Sequence, residues 1–184
     1  MTERRAIGIV ETNSVPRGIL VTDEMVKRAD VTVVESCPLC PGKYIVIVSG
    51  YVDEVRASVD KGVETAGAFL VDKVLIPDVH DEVMPAIMRN VPVEAIESLA
   101  VIETHAMATC LEVADRVAKA ASVTLVEIRL SRCLGGKSFV SFTGDIGSVR
   151  SAATVGEDLA RERGQLVHSV VIARPHQKLH RFIV

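Results

Sequence analysis

Short β-branched runs alternate with amphipathic helical stretches along the first half of the chain. A long helix is predicted from about Val52 to Leu70, where apolar residues recur on one face at helical spacing. A shorter helix is predicted near Thr22 to Ala29, with Thr22 or Asp23 as its N-cap. Four strands are predicted around these helices: Ile7 to Glu11, Val31 to Ser36, Lys43 to Ser49 and Val71 to Ile76.

The second half of the chain repeats the first. The run Ala6 to Thr12 recurs 92 residues later as Ser98 to Thr104, and both runs end in Glu-Thr. The spacing then grows to 94 residues and finally to 96, as two small insertions in the second copy would produce. The pairs that show this are Glu35 with Glu127, Gly42 with Gly136, Lys43 with Lys137, Gly50 with Gly144, and His80 with His176. Ordered matches of this kind indicate a tandem duplication, joined near Asn90-Val91-Pro92.

Each copy therefore has the element order β-α-β-β-α-β. This order predicts an α+β fold of two tandem ferredoxin-like domains, each a four-stranded antiparallel sheet with helices on one side. The domains are predicted at residues 5–90 and 97–182. Each is small enough that it should pack against its twin.

Composition narrows the choice of partners. Hydrophobic residues make up 48% of the chain and aromatic residues only 3%, so the core must consist mainly of aliphatic side chains. A mean hydropathy of +0.31 without a long apolar run predicts an oligomer and no membrane span. The net charge of −3 argues against nucleic acid as a partner. No apolar signal segment follows Met1, which favours the cytosol.

The main candidate chemistry lies in the segment Cys37 to Lys43, called here the cysteine loop. Its two thiols have C-x-x-C spacing between two predicted strands. In the cytosol such cysteines are more often thiols or metal ligands than structural disulfides. The spacing alone leaves an iron site, a zinc site, a redox disulfide and no chemistry all open.

Several motifs resemble the shell-protein (BMC) domain of bacterial microcompartments, over nearly the whole chain and twice. They are Ala6 to Thr12, Met25 to Ala29, the Gly-Lys that follows the cysteine loop, and Ile172 to His176. Two such domains in one chain are similar to the tandem-domain trimeric shell proteins. The resemblance implies a homotrimer that forms a pseudohexagonal disc in the cytoplasm and tiles with other shell proteins into a microcompartment facet.

The cysteine loop further resembles the iron–sulfur type of these proteins, known from propanediol-utilization microcompartments. The resemblance implies a [4Fe–4S] cluster held by Cys40 from three chains, with Cys37 as an alternative further ligand. Leu134 stands where the first repeat has Cys40, so thiols would alternate with leucines around the disc. The implied pore loops comprise Pro41, Gly42, Lys43, Leu134, Gly135, Gly136 and Lys137. Such a cluster would transfer electrons or deliver clusters across the shell, with an encapsulated or cytosolic redox enzyme as a partner.

The resemblance also implies disc-edge contacts at Lys27, Lys119 and Arg174. The equivalent of Arg174 in the first repeat is Asp78, which departs from the pattern. Glu11 and Glu103 occur in both repeats, which points to a structural or pore-adjacent place.

The sequence contains no nucleophile–histidine–acid arrangement and no phosphate loop, so enzymatic activity is not expected. A metabolite pore without a cluster is the main alternative function. A small-molecule sensor on the same scaffold is a further one.

Overall fold

A computed structural model of the protein describes residues 6–88, 91–93, 95–130 and 134–183, apart from the side chain of residue 181. The first repeat contains β1 (Ala6–Thr12), α1 (Val15–Arg28), β2 (Thr32–Leu39), β3 (Lys43–Gly50), α2 (Val52–Ala66) and β4 (Leu70–Ile76), followed by α3 (Val83–Ile87). The second contains β5 (Ser98–Thr104), α4 (Met107–Ala120), β6 (Thr124–Arg129), β7 (Ser138–Gly144), α5 (Ile146–Glu162) and β8 (Leu166–Ala173), followed by α6 (Gln177–Ile183).

Each repeat forms one four-stranded antiparallel sheet. The strand orders are β2-β3-β1-β4 and β6-β7-β5-β8, so equivalent strands occupy equivalent places. The central strand β1 is buried along its whole length, as its apolar residues on both faces predict. The sequence-based prediction of an α+β fold with two antiparallel sheets is confirmed.

Contacts divide the described chain into two units. Unit 1 comprises residues 6–79 with the short segments 106–108 and 134–136, and unit 2 comprises the remaining described residues from 80 onwards. Helix α3 therefore belongs to unit 2 by its contacts, although it follows the first repeat in the chain. In unit 1, the predicted apolar face of α2 is part of the core, where Val55 and Val59 pack with Val10 and Met25.

The first helix begins seven residues earlier than predicted. Ser14 is its N-cap and accepts a hydrogen bond from the Arg17 N–H, while Pro16 lies in the first turn. Proline fits there because the first-turn N–H groups have no partner within the helix. The sequence Ser14-Val15-Pro16, which lies before the predicted helix, is thus a helix start.

Helix α2 is shorter than predicted. It ends at Ala66, and Gly67 follows with a positive φ of 53°. Leu70, placed by the spacing at the end of the helix, instead begins β4.

No helix in the described part of the chain combines the length and the apolar composition that crossing a bilayer requires.

Candidate functional site

The cysteine loop closes the hairpin between β2 and β3. Leu39 is buried at the end of β2, and its carbonyl accepts a hydrogen bond from the Gly42 N–H at 3.0 Å. Gly42 has a φ of +85°, in the region where any larger residue is strained. This tight turn leaves the thiol-bearing Cys40 exposed between the two strands.

Three of the four cysteines lie in the described part of the chain. Cys40 is exposed, Cys37 is half-buried on β2, and Cys110 is buried within α4. Cys37 and Cys40 do not form a disulfide. Cys133 lies outside the described residues.

A buried ion pair anchors the end of the cysteine loop. Lys43 Nζ lies 2.9 Å from Glu11 Oε1, and the Glu11 side chain is completely buried. The other oxygen, Oε2, accepts the backbone N–H groups of Met107 at 2.8 Å and Ala108 at 3.4 Å, in the first turn of α4. A carboxylate is stabilised there by both the lysine and the positive end of the helix dipole.

The same lysine also joins the cysteine loop to the equivalent loop of the second repeat, which includes Leu134 to Lys137 and is called here the second loop. Lys43 Nζ donates a hydrogen bond to the Gly136 carbonyl at 3.1 Å. Gly136 has the same φ of +85° as Gly42, and a Cβ atom there would lie 2.9 Å from Pro41 Cδ. Glycine at 136 therefore allows the second loop to pack closely against the cysteine loop.

The equivalent ion pair of the second repeat is open to solvent. Lys137 Nζ lies 2.7 Å from Glu103 Oε1, but the two side chains are 40% and 27% exposed, against 17% and 0% for Lys43 and Glu11. Leu134 is half-buried in the second loop, and Gly135 has a φ of +61°. The two repeats thus have the same ion pair in a closed and an open environment.

The pairing of Glu11 with Lys43 was not predicted from the sequence. Lys43 was expected in a pore loop and Glu11 in a structural or pore-adjacent place, and the two residues lie far apart in the chain. Their counterparts Glu103 and Lys137 recur at spacings of 92 and 94 residues. A glutamate and a lysine recur together in both copies. This recurrence was the signal in the sequence for an ion pair within each repeat.

The predicted edge residues lie on the surface. Lys27 Nζ donates a hydrogen bond to Asp23 Oδ2 at 2.5 Å, and this bond raises the pKa of Lys27 above its ordinary value. Lys119 makes the equivalent bond to Asp115 at 2.8 Å. Arg174 is exposed after β8 with a φ of +53°.

Asp78 is likewise exposed at the position equivalent to Arg174. The structure therefore places all the predicted edge residues at the surface and tests no contact that they make with another molecule.

Within its described residues, a single chain does not assemble a metal site. The described residues contain no group of three or more His, Cys, Asp and Glu side chains that could hold a metal ion. Cuboidal iron–sulfur clusters are held by thiolates, usually four. Cys40 fits this requirement as a single ligand, because its thiol is free and exposed and the space around Gly42 is open.

Comparison with known proteins identifies relatives along the whole length. Residues 6–79 and 98–175 each match the BMC domain family. The chain is 37% identical over 180 residues to the bacterial microcompartment shell protein PduT of Citrobacter freundii, with 98% of each protein covered.

Solved structures agree with this assignment. A microcompartment protein from Desulfitobacterium hafniense DCB is 45% identical, with a TM-score of 0.87 over 97% of this chain and 99% of that one. The fused permuted hexameric shell protein MSM0275 from the RMM microcompartment has a TM-score of 0.64 at 20% identity, covering 85% of this chain and 81% of that one. The second similarity concerns the fold alone.

Proposed function

The chain belongs to the BMC domain family and is a bacterial microcompartment shell protein, and we propose that three copies form a disc with a [4Fe–4S] cluster at its centre. The single observation that carries the cluster is the difference between the two loops. The exposed thiol of Cys40 stands where the second repeat has Leu134. A ring of three chains would therefore present three equivalent thiols, separated by leucines.

The open ion pair of Glu103 and Lys137 supports a ring of copies. In unit 1 the equivalent pair bonds a helix N-terminus and a loop carbonyl. The repeat spacing assigns these two partners to the Val15 N–H and the Gly42 carbonyl of a neighbouring copy. A head-to-tail contact of this kind forms a ring when its rotation closes, and the resemblance to tandem shell proteins supports three copies.

The chain's own residues would hold the cluster and keep it accessible. Three Cys40 thiolates would bind three of the four irons and would leave the fourth to an external ligand. When bound, such a cluster supplies one-electron redox chemistry. Gly42 leaves room beside the loop, and the Glu11–Lys43 pair fixes the end of β3 that follows it. This arrangement suits electron transfer or cluster delivery between the two sides of a shell, with a redox enzyme on either side as partner.

Protein purified without oxygen tests the proposal. We expect a brown trimer that contains about four irons per three chains, with visible absorbance that bleaches on reduction. Light scattering gives the mass, and electron paramagnetic resonance gives the cluster type. An iron-free trimer would favour the alternative function, a metabolite pore without a cluster. A monomer would contradict both functions.

The edge lysines give a separate prediction about tiling with other discs. Lys27→Ala combined with Lys119→Ala is expected to leave the trimer mass unchanged but to abolish ordered sheets in electron micrographs, because edge contacts and not trimer contacts are removed. The double variant Lys61→Ala with Lys73→Ala, which removes two other surface lysines, is the matched control. Normal sheets from the Lys27 and Lys119 variant would show that these lysines are only solvated surface charges.

A further inference from the structure

Helices α3 and α6 are equivalent elements that follow the two repeats. In both, a histidine precedes the helix and its Nδ1 accepts the backbone N–H two residues later. The Glu82 N–H lies 3.3 Å from His80, and the Lys178 N–H lies 3.2 Å from His176. The N–H of the following residue then bonds the carbonyl of the same histidine, at 3.0 and 2.8 Å. The two helices therefore begin with the same turn, 96 residues apart.

In unit 2, α3 packs on the edge strand β6. Val83 of α3 and Leu125 of β6 are both fully buried. The Leu125 N–H donates to Glu82 Oε2 at 2.7 Å, and the His80 N–H donates to Asp115 Oδ1 on α4 at 2.8 Å. An exposed edge strand is a site for unwanted pairing, and α3 covers this one.

The equivalent surfaces elsewhere in the chain are exposed. The counterpart of Leu125 is Val33 on the edge strand β2, and it is 38% exposed. On α6, Phe182 is 71% exposed, although its counterpart on α3 is a buried alanine. The Asp23 side chain is 49% exposed, against 9% for its counterpart Asp115. One chain thus presents an exposed helix, α6, which is equivalent to the helix that covers β6. It also presents an exposed edge strand, β2, which is equivalent to β6.

We propose that α6 of one copy packs on β2 of a second copy, as α3 packs on β6 within unit 2, and that the turn before α6 reaches α1 of that copy, as the turn before α3 bonds Asp115 of α4. The occupant of the exposed β2 surface is therefore the C-terminal helix of this same protein. By the same equivalence, the His176 N–H of one copy donates to Asp23 of the next. The inference rests on the proposed ring and adds a specific contact that closes it.

One substitution makes the contact between copies weaker than its internal counterpart. Glu82, which accepts the Leu125 N–H in unit 2, is replaced by Lys178 in α6. Lysine has no acceptor atom, so the equivalent Val33 N–H of the second copy gains no side-chain partner from this position. The contact between copies keeps its apolar part and lacks this one charged hydrogen bond.

Two carboxylate substitutions test the contact from both sides. Val33→Asp on β2 and Leu179→Asp on α6 each place a charge where the proposed contact is apolar, and we expect each to raise the dissociation constant of the trimer about a hundredfold. Val170→Asp, on an equally exposed position of β8, is the control and should keep the trimer. Sedimentation velocity gives the mass, and circular dichroism confirms that each variant is folded.

A gain-of-function variant provides the complementary test. Lys178→Glu restores the carboxylate that the internal contact has, and we expect it to tighten the trimer about tenfold. Lys178→Ala removes the lysine without adding an acceptor and should fall short of this effect. Hydrogen exchange in the wild-type trimer should show protected amides along β2, and Leu179→Asp should remove that protection.

The outcomes separate this inference from the proposed function. If the wild-type chain is a trimer and both carboxylate variants remain trimers, the α6 contact is wrong while the ring stands. Protection of β2 that appears only after another shell protein is added would also overturn it, because the occupant would then be a different chain. A wild-type chain that is a monomer would overturn both the contact and the ring.

Discussion

Replacing Cys40 with serine is expected to remove all iron from protein purified without oxygen. Each of the three chains would contribute one Cys40 as a ligand, so a single substitution removes all three thiolates at once. A serine hydroxyl is a much harder ligand than the soft thiolate that iron–sulfur clusters select. The free energy of unfolding should change by less than about 0.5 kcal/mol, because the side chain is exposed. Iron analysis and visible absorbance of anaerobic protein provide the measurement.

Two further variants are the controls for this result. Cys37→Ser changes the other thiol of the cysteine loop and should leave the iron content unchanged. Leu134→Cys adds a thiol at the equivalent position of the second loop, so it should not lower the iron content. Loss of iron on changing Cys37, with retention on changing Cys40, would move the site to β2.

Replacing Glu11 with alanine is expected to lower the free energy of unfolding by about 3–5 kcal/mol. The Glu11 carboxylate is completely buried and is the acceptor for Lys43 and for the Met107 N–H. Its removal leaves a largely buried ammonium group and two backbone donors without their acceptor. Urea unfolding followed by circular dichroism measures the loss, at concentrations low enough to keep the chain monomeric.

The matched variant is Glu103→Ala. Its ion pair with Lys137 is partly exposed in the single chain, so its removal should cost only about 0–1 kcal/mol. The same change should weaken the trimer, because the proposed ring would bury this pair. Equal destabilisation of the monomer by the two variants would show that the closed and open environments are energetically alike, and would remove the support that they give to a ring.

The sequence predicted most of the fold because the duplication supplied its own comparison. A run that recurs in order, such as Ala6 to Thr12 and Ser98 to Thr104, indicates a strand more strongly than either copy alone. The start of α1 was missed because Ser14-Val15-Pro16 combines a cap with a first-turn proline and has little helical periodicity. Local pattern indicates the interior of a helix better than its first turn.

The candidate site was predicted less completely, for two physical reasons. The position of Cys40 in a hairpin loop follows from local turn chemistry, so the sequence revealed it. The Glu11–Lys43 pair depends on strand pairing between β1 and β3 and on the first turn of a distant helix. The exposure of β2 also has a non-local cause, because α3 follows the first repeat in the chain but packs on β6 of the second repeat. Equivalent sequences thus acquire different environments, and no local pattern specifies that difference.

The exposed Asp78 and Arg174 occupy equivalent positions in the two repeats and carry opposite charges. On a three-chain disc, acidic and basic edge positions would therefore alternate around the perimeter. Two neighbouring discs that meet at edge positions of like charge would repel, and rotating one disc to its next edge position would turn that repulsion into attraction. A facet built from such discs would then have a preferred rotational setting for each tile, and the preference would fade as salt screens the charges.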